Sequence, residues 1–329
     1  MAAVVESLAE LVGNTPLVRL RRVTEGIACP VYAKLEYVNP GGSVKDRIAQ
    51  IMIDAAERDG KLGPGGTIVE PTSGNTGVGL AIVAAQRGYR CVFTMPDKIS
   101  KEKVDILRAY GAEVLVCPTA VAPDDPRSYY SVARQQVEAT PGAWSPDQYS
   151  NLNNPLAHYR STGPEIWEQT AGKVDGFVCS VGTGGTLAGV GLFLKERRKE
   201  IQIALADPLG ASLYNWYTKG KLEAHGDSIT EGIGQSRVTE NLEGAPVDIA
   251  YQFSDAEALP YIFDLLKHEG LCLGGSSAIN IAGAVALATR LGKGKTIVTV
   301  LADYGTRYQS KLFNPVFLKS RKLPAPDWL

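Results

Sequence analysis

The chain has 329 residues and a formal net charge of −1, with hydrophobic residues at 44% and charged residues at 21%. This length predicts one large or two medium-sized domains, and the composition is that of an ordinary globular protein. The balanced charge and the lack of a Lys/Arg stripe argue against nucleic-acid binding, and no apolar run is long enough to span a bilayer, so we expect neither nucleic acid nor membrane as a partner.

Predicted strands alternate with predicted helices through the first half of the chain. The segments are a helix over 4–12, a turn and strand over 14–20, strands over 31–35, 67–70, 89–95 and 112–117, and helices over 44–58, 78–87, 101–110 and 129–139. A Gly-, Asn- and Pro-rich stretch over 142–154 follows, where we place a crossover between domains.

The alternation then restarts. Helices are predicted over 155–170, 256–268 and 276–291, with another that opens at 182–186 and runs to 198, and strands over 174–180, 201–206 and 296–301. The aromatic-rich segment 208–232 reads as an ordered loop near a site, and the Pro-rich tail 319–329 as a surface segment. The pattern predicts an α/β fold whose sheets are mostly parallel and flanked by helices.

Cysteine and histidine spacing gives no sign of a metal or a redox pair. Five cysteines and three histidines are scattered along the chain. Cys91, Cys117 and Cys179 lie in apolar strand-like runs, so we expect buried, reduced thiols. The first eleven residues contain two glutamates and lack the basic region of a secretory signal. We therefore expect a cytoplasmic protein without a bound metal.

A Gly-rich turn, Pro40 to Gly42, delivers Lys45 to the start of the predicted helix 44–58, with Ser43 as the expected N-cap. The partial positive charge of a helix N-terminus disfavours an ammonium group. We expect that field to lower the pKa of Lys45, and a lowered pKa is what a Schiff-base lysine needs. A solvated surface lysine is the alternative that these residues alone leave open.

The segment Gly182-Thr183-Gly184-Gly185-Thr186 follows a predicted strand and opens a helix. Successive backbone N–H groups and two hydroxyls at a helix N-terminus form a phosphate-binding site, although a tight turn that requires glycine gives the same pattern. Asp207 ends the next strand, as in a dinucleotide-binding unit. Leu187 occupies the place of the third glycine of that unit, which favours a single phosphate over a pyrophosphate.

Two further polar loops open predicted helices. Thr72-Ser73-Gly74-Asn75-Thr76-Gly77 carries hydroxyls and an amide suited to a carboxylate or a ring hydroxyl, and Gly274-Gly275-Ser276-Ser277 places Ser276 as an N-cap. In each case simple helix capping is the alternative interpretation. Because ligands of open α/β sheets bind beyond the carboxyl ends of the strands, we expect these loops to share one site.

Together these motifs resemble the cysteine synthase family, the O-acetylserine sulfhydrylases and cystathionine β-synthases of the fold-type-II pyridoxal-phosphate (PLP) enzymes. The resemblance rests on SVKDR at 43–47, TSGNTG at 72–77, GTGGT at 182–186 and GSS at 275–277, with NTPLV at 14–18 and TGPEIW at 162–167, and covers nearly the whole chain in order. It implies a tryptophan synthase β-like fold and a homodimer. A smaller substrate-loop domain would span 45–149, and a larger PLP-phosphate-binding domain 1–44 and 150–329.

The resemblance also implies a role for each motif. Lys45 would bond covalently to PLP and act as general base at the substrate Cα. Asn75 would hydrogen-bond the cofactor's ring hydroxyl, and Ser276 would contact its pyridine nitrogen. The cofactor phosphate would be held by Gly182, Thr183, Gly184, Gly185 and Thr186, and the amino-acid substrate by Thr72, Ser73, Gly74, Thr76, Gln148 and Gly232.

The implied activity is that of a cysteine synthase, in which sulfide replaces the acetate of O-acetyl-L-serine by way of an aminoacrylate. A neutral Ser276 at the pyridine nitrogen is compatible with β-elimination rather than transamination. Ala278 and the segment Ala302-Asp303-Tyr304-Gly305 depart from the usual family residues. These departures leave open a cysteine desulfhydrase, a lyase that releases sulfide, pyruvate and ammonia, or another β-substituted alanine synthase.

Two alternatives to a PLP enzyme are a nicotinamide dehydrogenase and a non-catalytic binding protein. A nicotinamide dehydrogenase would use the Gly182 loop and Asp207, but it leaves Lys45 without a role. A binding protein that lacks PLP has no need of that lysine either.

Overall fold

The computed structural model describes residues 4–122 and 124–329, so residues 1–3 of the N-terminal stretch considered above and Pro123 lie outside the described chain. The strands in these residues are β1 (Leu17–Leu20), β2 (Val31–Leu35), β3 (Thr67–Pro71), β4 (Arg90–Pro96), β5 (Glu113–Cys117), β6 (Ala143–Trp144), β7 (Gly176–Cys179), β8 (Gln202–Pro208), β9 (Ile249–Phe253) and β10 (Ile297–Leu301).

The helices cover both halves of the chain. They are α1 (Lys45–Arg58), α2 (Asn75–Arg87), α3 (Lys101–Ala109), α4 (Tyr129–Ala139), α5 (Asn153–Ala157), α6 (Gly163–Gln169), α7 (Gly185–Arg197), α8 (Leu213–Lys219), α9 (Asp255–Asp264), α10 (Gly275–Leu291) and α11 (Pro315–Ser320). Short 3₁₀ turns occur at Leu8–Leu11, Glu36–Val38, Glu240–Leu242 and Gly305–Tyr308, and π-helical turns at His158–Thr162 and Leu265–Glu269. In the described segments, no helix has both the length and the hydropathy to cross a membrane.

The strands form two separate sheets. The larger has the order β1-β2-β10-β7-β8-β9, and only β1 runs antiparallel to its neighbour. The smaller has the order β5-β4-β3-β6 and is parallel throughout. This architecture confirms the predicted α/β fold with mostly parallel sheets flanked by helices.

The central strands form as they do because both of their faces are covered. All five residues of β10 are buried, which is the pattern of a parallel strand between two helical layers. Helix α10 packs closely on β8, since a Cβ at Gly283 would lie 2.7 Å from Cβ of Ala206. Cys91, Cys117 and Cys179 have buried free thiols, as predicted.

Several predicted elements were wrong. The helix over 4–12 is only the 3₁₀ turn Leu8–Leu11, which is too short to bury an apolar face. Segment 208–232 contains helix α8, and strands β6 and β9 were missed. Every residue of β9 is half-buried at the edge of the larger sheet, so its sequence lacks a buried apolar run. The tail is not simply a surface segment, because Leu323 and Leu329 pack against the hydrophobic core that the larger sheet forms with α9 and α10.

Candidate active site

A cavity of about 750 Å³, including its open mouth, collects loops that follow strands of both sheets. Parallel strands bring their carboxyl ends to one edge of a sheet, which is why loops distant in sequence meet here. The predicted site residues that line it are Lys45, Ser73, Asn75, Thr76, Gln148, Gly182, Thr183, Gly184, Thr186, Gly232 and Ser276.

Three predicted site residues do not line the cavity. Thr72 is buried and its hydroxyl accepts a hydrogen bond from the backbone N–H of Gly74 at 3.0 Å, so both residues shape the loop from behind. Gly185 packs against Asn154, whose side-chain oxygen would overlap any Cβ at that position. These residues support the loops rather than face the cavity.

Lys45 is the first residue of α1, and its side chain is partly buried against the cavity. Its Nζ has no hydrogen bond or ion pair with any residue that the structure describes. Burial lowers the pKa of Lys45 by desolvating the ammonium group, and the negative charge of Asp303 opposes this shift. The direction is the one expected from sequence, but the main cause is desolvation rather than the field of the helix. The N-cap is Val44, not Ser43.

A buried cluster of charges anchors the helix that carries Lys45. Arg47 lies two residues further along α1, and its Nε is 2.7 Å from Oε2 of Glu36. Its Nη1 is 2.7 Å from Oε1 of Glu165, which also pairs with Nζ of Lys34 at 2.6 Å. Strand β2, helix α1 and helix α6 are thereby tied together at the first turn of the helix that carries Lys45.

The Gly182–Thr186 loop leads into α7 with free backbone donors. Gly184 has φ +93° and is the N-cap, and no side chain caps the first turn. A Cβ at Gly182 would overlap the carbonyl oxygen of Gly232, so this close approach of two loops requires glycine. Uncapped N–H groups at the N-terminus of a helix favour an anion such as a phosphate.

Two hydroxyls of the same loop are held in place by buried neighbours. Oγ1 of Thr183 accepts a hydrogen bond from Nδ2 of Asn154 at 2.9 Å, and Oγ1 of Thr186 lies 3.2 Å from Nε2 of His158. Burial, aided by the positive charge of Arg47, lowers the pKa of His158 to about 3. The imidazole is therefore neutral near neutral pH and orients the Thr186 hydroxyl without adding charge.

The loop before α2 is tied to Gln148. Oγ1 of Thr76 donates a hydrogen bond to Oε1 of Gln148 at 2.6 Å, and Nε2 of Gln148 donates to the carbonyl of Pro71 at 2.9 Å. The backbone N–H of Gln148 donates to Oε1 of Glu70 at 3.1 Å. Helix α2 begins at Asn75, three residues earlier than predicted, so Asn75 and Thr76, which line the cavity, belong to its first turn.

Ser276 lies in the first turn of α10 and not at its N-cap, which is Gly274. Its hydroxyl lines the cavity and has no hydrogen-bond partner within residues 4–122 and 124–329. A neutral hydroxyl is therefore available to a ligand atom at this helix end.

Sequence reasoning missed a polar group that borders the cavity. Tyr308 lines it and donates a hydrogen bond from its hydroxyl to Oδ2 of Asp303 at 2.6 Å. Nζ of Lys103 lies 4.1 Å from the Tyr308 ring centroid and 2.9 Å from Oε2 of Glu231. The departure from the family pattern at Asp303 was the only signal, and nothing in the pattern of α3 marked Lys103.

Asp207 has a structural role. It is fully buried, its Oδ2 accepts a hydrogen bond from the backbone N–H of Tyr214 at 2.9 Å, and burial raises its pKa to about 7. Asp207 thus supports the start of α8 and does not line the cavity. This placement removes the residue on which a nicotinamide site would depend.

Comparisons with known proteins agree with one another. The family model for "Pyridoxal-phosphate dependent enzyme" matches residues 8–303. Cysteine synthase 1 of Emericella nidulans is 47% identical over 324 residues, which cover 97% of this chain and 87% of that protein. Cysteine synthase 1 of Neurospora crassa is 45% identical over 325 residues, 97% of this chain and 86% of that protein. The solved O-acetylserine dependent cystathionine beta-synthase of Helicobacter pylori has a TM-score of 0.87 at 34% identity, covering 94% of this chain and 99% of that one.

Proposed function

Because the chain belongs to the family of pyridoxal-phosphate dependent enzymes, we propose that it is a cysteine synthase, which forms L-cysteine and acetate from O-acetyl-L-serine and sulfide. The observation that carries the proposal is the cavity itself. It holds a partly buried lysine that has no ion-pair partner among the described residues, beside an uncapped helix N-terminus, in a chain 47% identical to a cysteine synthase.

The donors in the cavity fit PLP. Lys45 offers an amine to an aldehyde, the N-terminus of α7 with Thr183 and Thr186 offers donors to a phosphate, and Ser276 offers a neutral hydroxyl to a pyridine nitrogen. When bound, the cofactor supplies an electron sink that labilises the Cα proton and the β-substituent of an amino acid. We assign Lys45, the Gly182–Thr186 loop, Asn75 and Ser276 to holding it.

The chain's own residues then handle the proton and the substrate. A lowered pKa leaves more of Lys45 neutral near pH 7, so that Nζ can accept the proton from the substrate Cα. The N-terminal amides of α2, with Ser73 and Thr76, are suited to bind the substrate carboxylate. We assign Thr72, Gly74, Gln148 and Gly232 to shaping this part of the site.

A product assay tests the proposal directly. The purified protein is given O-acetyl-L-serine and sulfide, and L-cysteine and acetate are measured against parallel reactions with L-cysteine alone and with L-serine and homocysteine. We expect cysteine and acetate in equal amounts, with release of pyruvate from cysteine at only a small fraction of that rate as a lyase side reaction. Faster formation of sulfide and pyruvate from cysteine would contradict the proposal.

We propose three further properties. Four of the five free cysteines are buried, which supports a reducing cytoplasmic location. The homodimer follows from the family resemblance, and light scattering would give twice the 35.2 kDa chain mass. The domain boundaries 45–149 and 1–44 with 150–329 are supported by β3 to β6, which lie inside 45–149 and form a sheet of their own in the described residues.

A further inference from the structure

The side-chain amide of Asn75 is held from two sides by residues near the carboxyl end of β10. Nδ2 of Asn75 donates a hydrogen bond to Oδ2 of Asp303 at 2.7 Å, and Oδ1 of Asn75 accepts one from Nη1 of Arg307. A carboxylate only accepts and a guanidinium only donates. The chemistry of the two partners therefore assigns which end of the amide is nitrogen and which is oxygen. A flipped amide would place like groups against each other on both sides.

Asp303 is a fixed acceptor. The residue is 1% exposed, and its backbone carbonyl accepts a hydrogen bond from the N–H of Gly274 at 3.1 Å. A Cβ at Gly274 would overlap Oδ1 of Asp303, so the carboxylate lies tightly against the start of α10. On the other side, the backbone forms an isolated antiparallel bridge to Ser43, two residues before Lys45. The carboxylate has no room to move away from Asn75.

One donor of Asn75 remains for the cavity. Asn75 lines the cavity, while Asp303 and Arg307 do not. With Oδ1 and one Nδ2 proton engaged, the second N–H of Nδ2 is the only donor left on the side chain. An N–H donor that belongs to a polarised, hydrogen-bonded amide complements an oxygen that carries negative charge.

We propose that Asp303 is a positioning residue that acts through Asn75: together with Arg307 it fixes the amide so that Asn75 offers an N–H donor to the ring oxygen of PLP. The proposal rests on the proposed function, because it requires PLP in the cavity. It gives a role to Asp303, which lies in the segment Ala302-Asp303-Tyr304-Gly305 that departs from the usual family residues. The proposed function assigns no role to that segment. Arg307 also donates a hydrogen bond to the carbonyl of Gly41, in the Gly-rich turn that precedes Lys45.

A double-mutant cycle on cofactor affinity tests the coupling. Wild type, Asp303→Ala, Asn75→Ala and the double variant are prepared as holoenzymes and dialysed against falling PLP concentrations, and the bound fraction is read from visible absorption. We expect Asp303→Ala to raise the dissociation constant about tenfold in the wild-type background and less than about twofold in the Asn75→Ala background. An equal factor in both backgrounds would show that Asp303 acts independently of Asn75, for example through its charge near Lys45.

Ser310→Ala is the matched control in the same segment. The Ser310 hydroxyl donates to Oε2 of Glu102 at 2.9 Å and does not contact Asn75. We expect this variant to keep the wild-type dissociation constant and visible spectrum, whereas Asp303→Ala changes both. A matching loss in the control would attribute the effect to the segment and overturn the positioning role.

A second pair of variants keeps the test valid if Asp303→Ala does not fold. The amide introduced by Asp303→Asn keeps an oxygen that can accept from Nδ2 of Asn75, and Arg307 still donates to Oδ1, so the orientation of the Asn75 amide is retained. We expect Asp303→Asn to stay within about threefold of wild-type affinity, and Asp303→Asn with Arg307→Met to lose about tenfold. Arg307→Met is measured alone as well, and a loss of affinity in the double variant equal to the product of the two single losses would contradict the proposal.

The outcomes separate this inference from the proposed function. A wild-type protein that binds no PLP overturns both. A wild-type protein that binds PLP, with an Asp303→Ala effect that persists undiminished in the Asn75→Ala background, overturns the positioning role alone.

Discussion

Lys45 differs from the other buried lysines in its partners. Lys34 pairs with Glu165 at 2.6 Å and Lys103 pairs with Glu231 at 2.9 Å, and the side chains of both lysines are at most 2% exposed. Lys45 has no such partner in the described part of the chain. Because an unpaired ammonium in a desolvated site costs stability, its retention points to chemistry rather than to folding.

Substitution of Lys45 separates a role in the reaction from a role in folding. We expect Lys45→Ala to lower the rate of cysteine formation by at least about 10³-fold, because the proposed function assigns the transfer of the substrate proton to Lys45. The midpoint of thermal unfolding of the cofactor-free protein should stay the same or rise, since no ion pair is lost. A turnover assay measures the rate of cysteine formation, and calorimetry measures the midpoint of thermal unfolding.

Lys34→Met is the matched control at a paired lysine. It leaves Glu165 with one cation fewer, so we expect it to lower the unfolding free energy by about 3 kcal/mol. A Lys45→Ala variant that keeps turnover within tenfold of wild type, or that unfolds as readily as Lys34→Met, would contradict the assignment.

At the scale of elements, α7 and the π-helical turn His158–Thr162 pack without room for a side chain. A Cβ at Gly189 would overlap the carbonyl oxygen of Pro155 and lie 2.8 Å from Cβ of His158. We expect Gly189→Ala to lower the unfolding free energy by about 3 kcal/mol, measured in urea, because backbone atoms on the facing segment cannot yield.

Gly191→Ala on the same helix gives the comparison. Its Cβ would meet a methyl group of Ile203 at 3.2 Å, which is a side chain that can shift. We expect the unfolding free energy to stay within about 1 kcal/mol of wild type, because better helix propensity offsets the tighter contact. Equal losses at the two glycines would rule out the backbone clash as the cause.

The cluster that joins β2, α1 and α6 predicts a pH dependence. Burial alone would raise the pKa of Glu165, but hydrogen bonds and charge from Arg47 and Lys34 outweigh it and lower the pKa to about 2, from an ordinary 4.5. A carboxyl with a lowered folded-state pKa binds fewer protons when folded. Its contribution is therefore complete above about pH 4.5 and is lost as the pH falls towards 2.

Glu165→Gln should therefore lose stability in a pH-dependent way. We expect it to be less stable than wild type by about 3 kcal/mol at pH 7, and the difference to shrink by more than half at pH 3. Urea unfolding at the two pH values measures the gap. A gap of the same size at both would mean that Glu165 acts through packing and not through its charge.

Elements with a strong local pattern were predictable from sequence. Strand β2 and helix α4 have the predicted bounds, because β-forming apolar residues begin the strand at 31–33 and Ser128 is the N-cap of the helix. The starts of α2 and α10 were misplaced, since their N-caps are Gly74 and Gly274 and form no side-chain hydrogen bond. A glycine cap leaves no side-chain signal in the sequence.

The convergence of loops on one site was predictable from sequence, because it depends on the order of strands and on their parallel direction. The loops at 72–77 and 182–186 were expected to converge because both follow parallel strands. The contact between Asn75 and Asp303 joins residues 228 positions apart, and the Lys103–Glu231 pair joins residues 128 apart. Such contacts depend on how the two sheets pack, which local patterns do not report.

At the scale of the whole molecule, the cavity belongs to both sheets at once. Ser73, Asn75 and Thr76 follow β3 of the smaller sheet, while the Gly182–Thr186 loop follows β7 of the larger one. Glu231 receives Lys103 from α3 and Lys311 from the segment before α11, at 2.9 and 2.5 Å. This pair of contacts holds the two halves of the site together, so that polar loops following both sheets face one cavity.

The visible spectrum of the purified protein tests the central claim most directly. We predict a visible absorption band that changes when O-acetyl-L-serine is added and returns when sulfide follows, with L-cysteine released in proportion, and that neither change occurs in Lys45→Ala. This result would establish the cofactor, the lysine and both half-reactions together. A colourless protein, or a band that O-acetyl-L-serine leaves unchanged, would contradict the account.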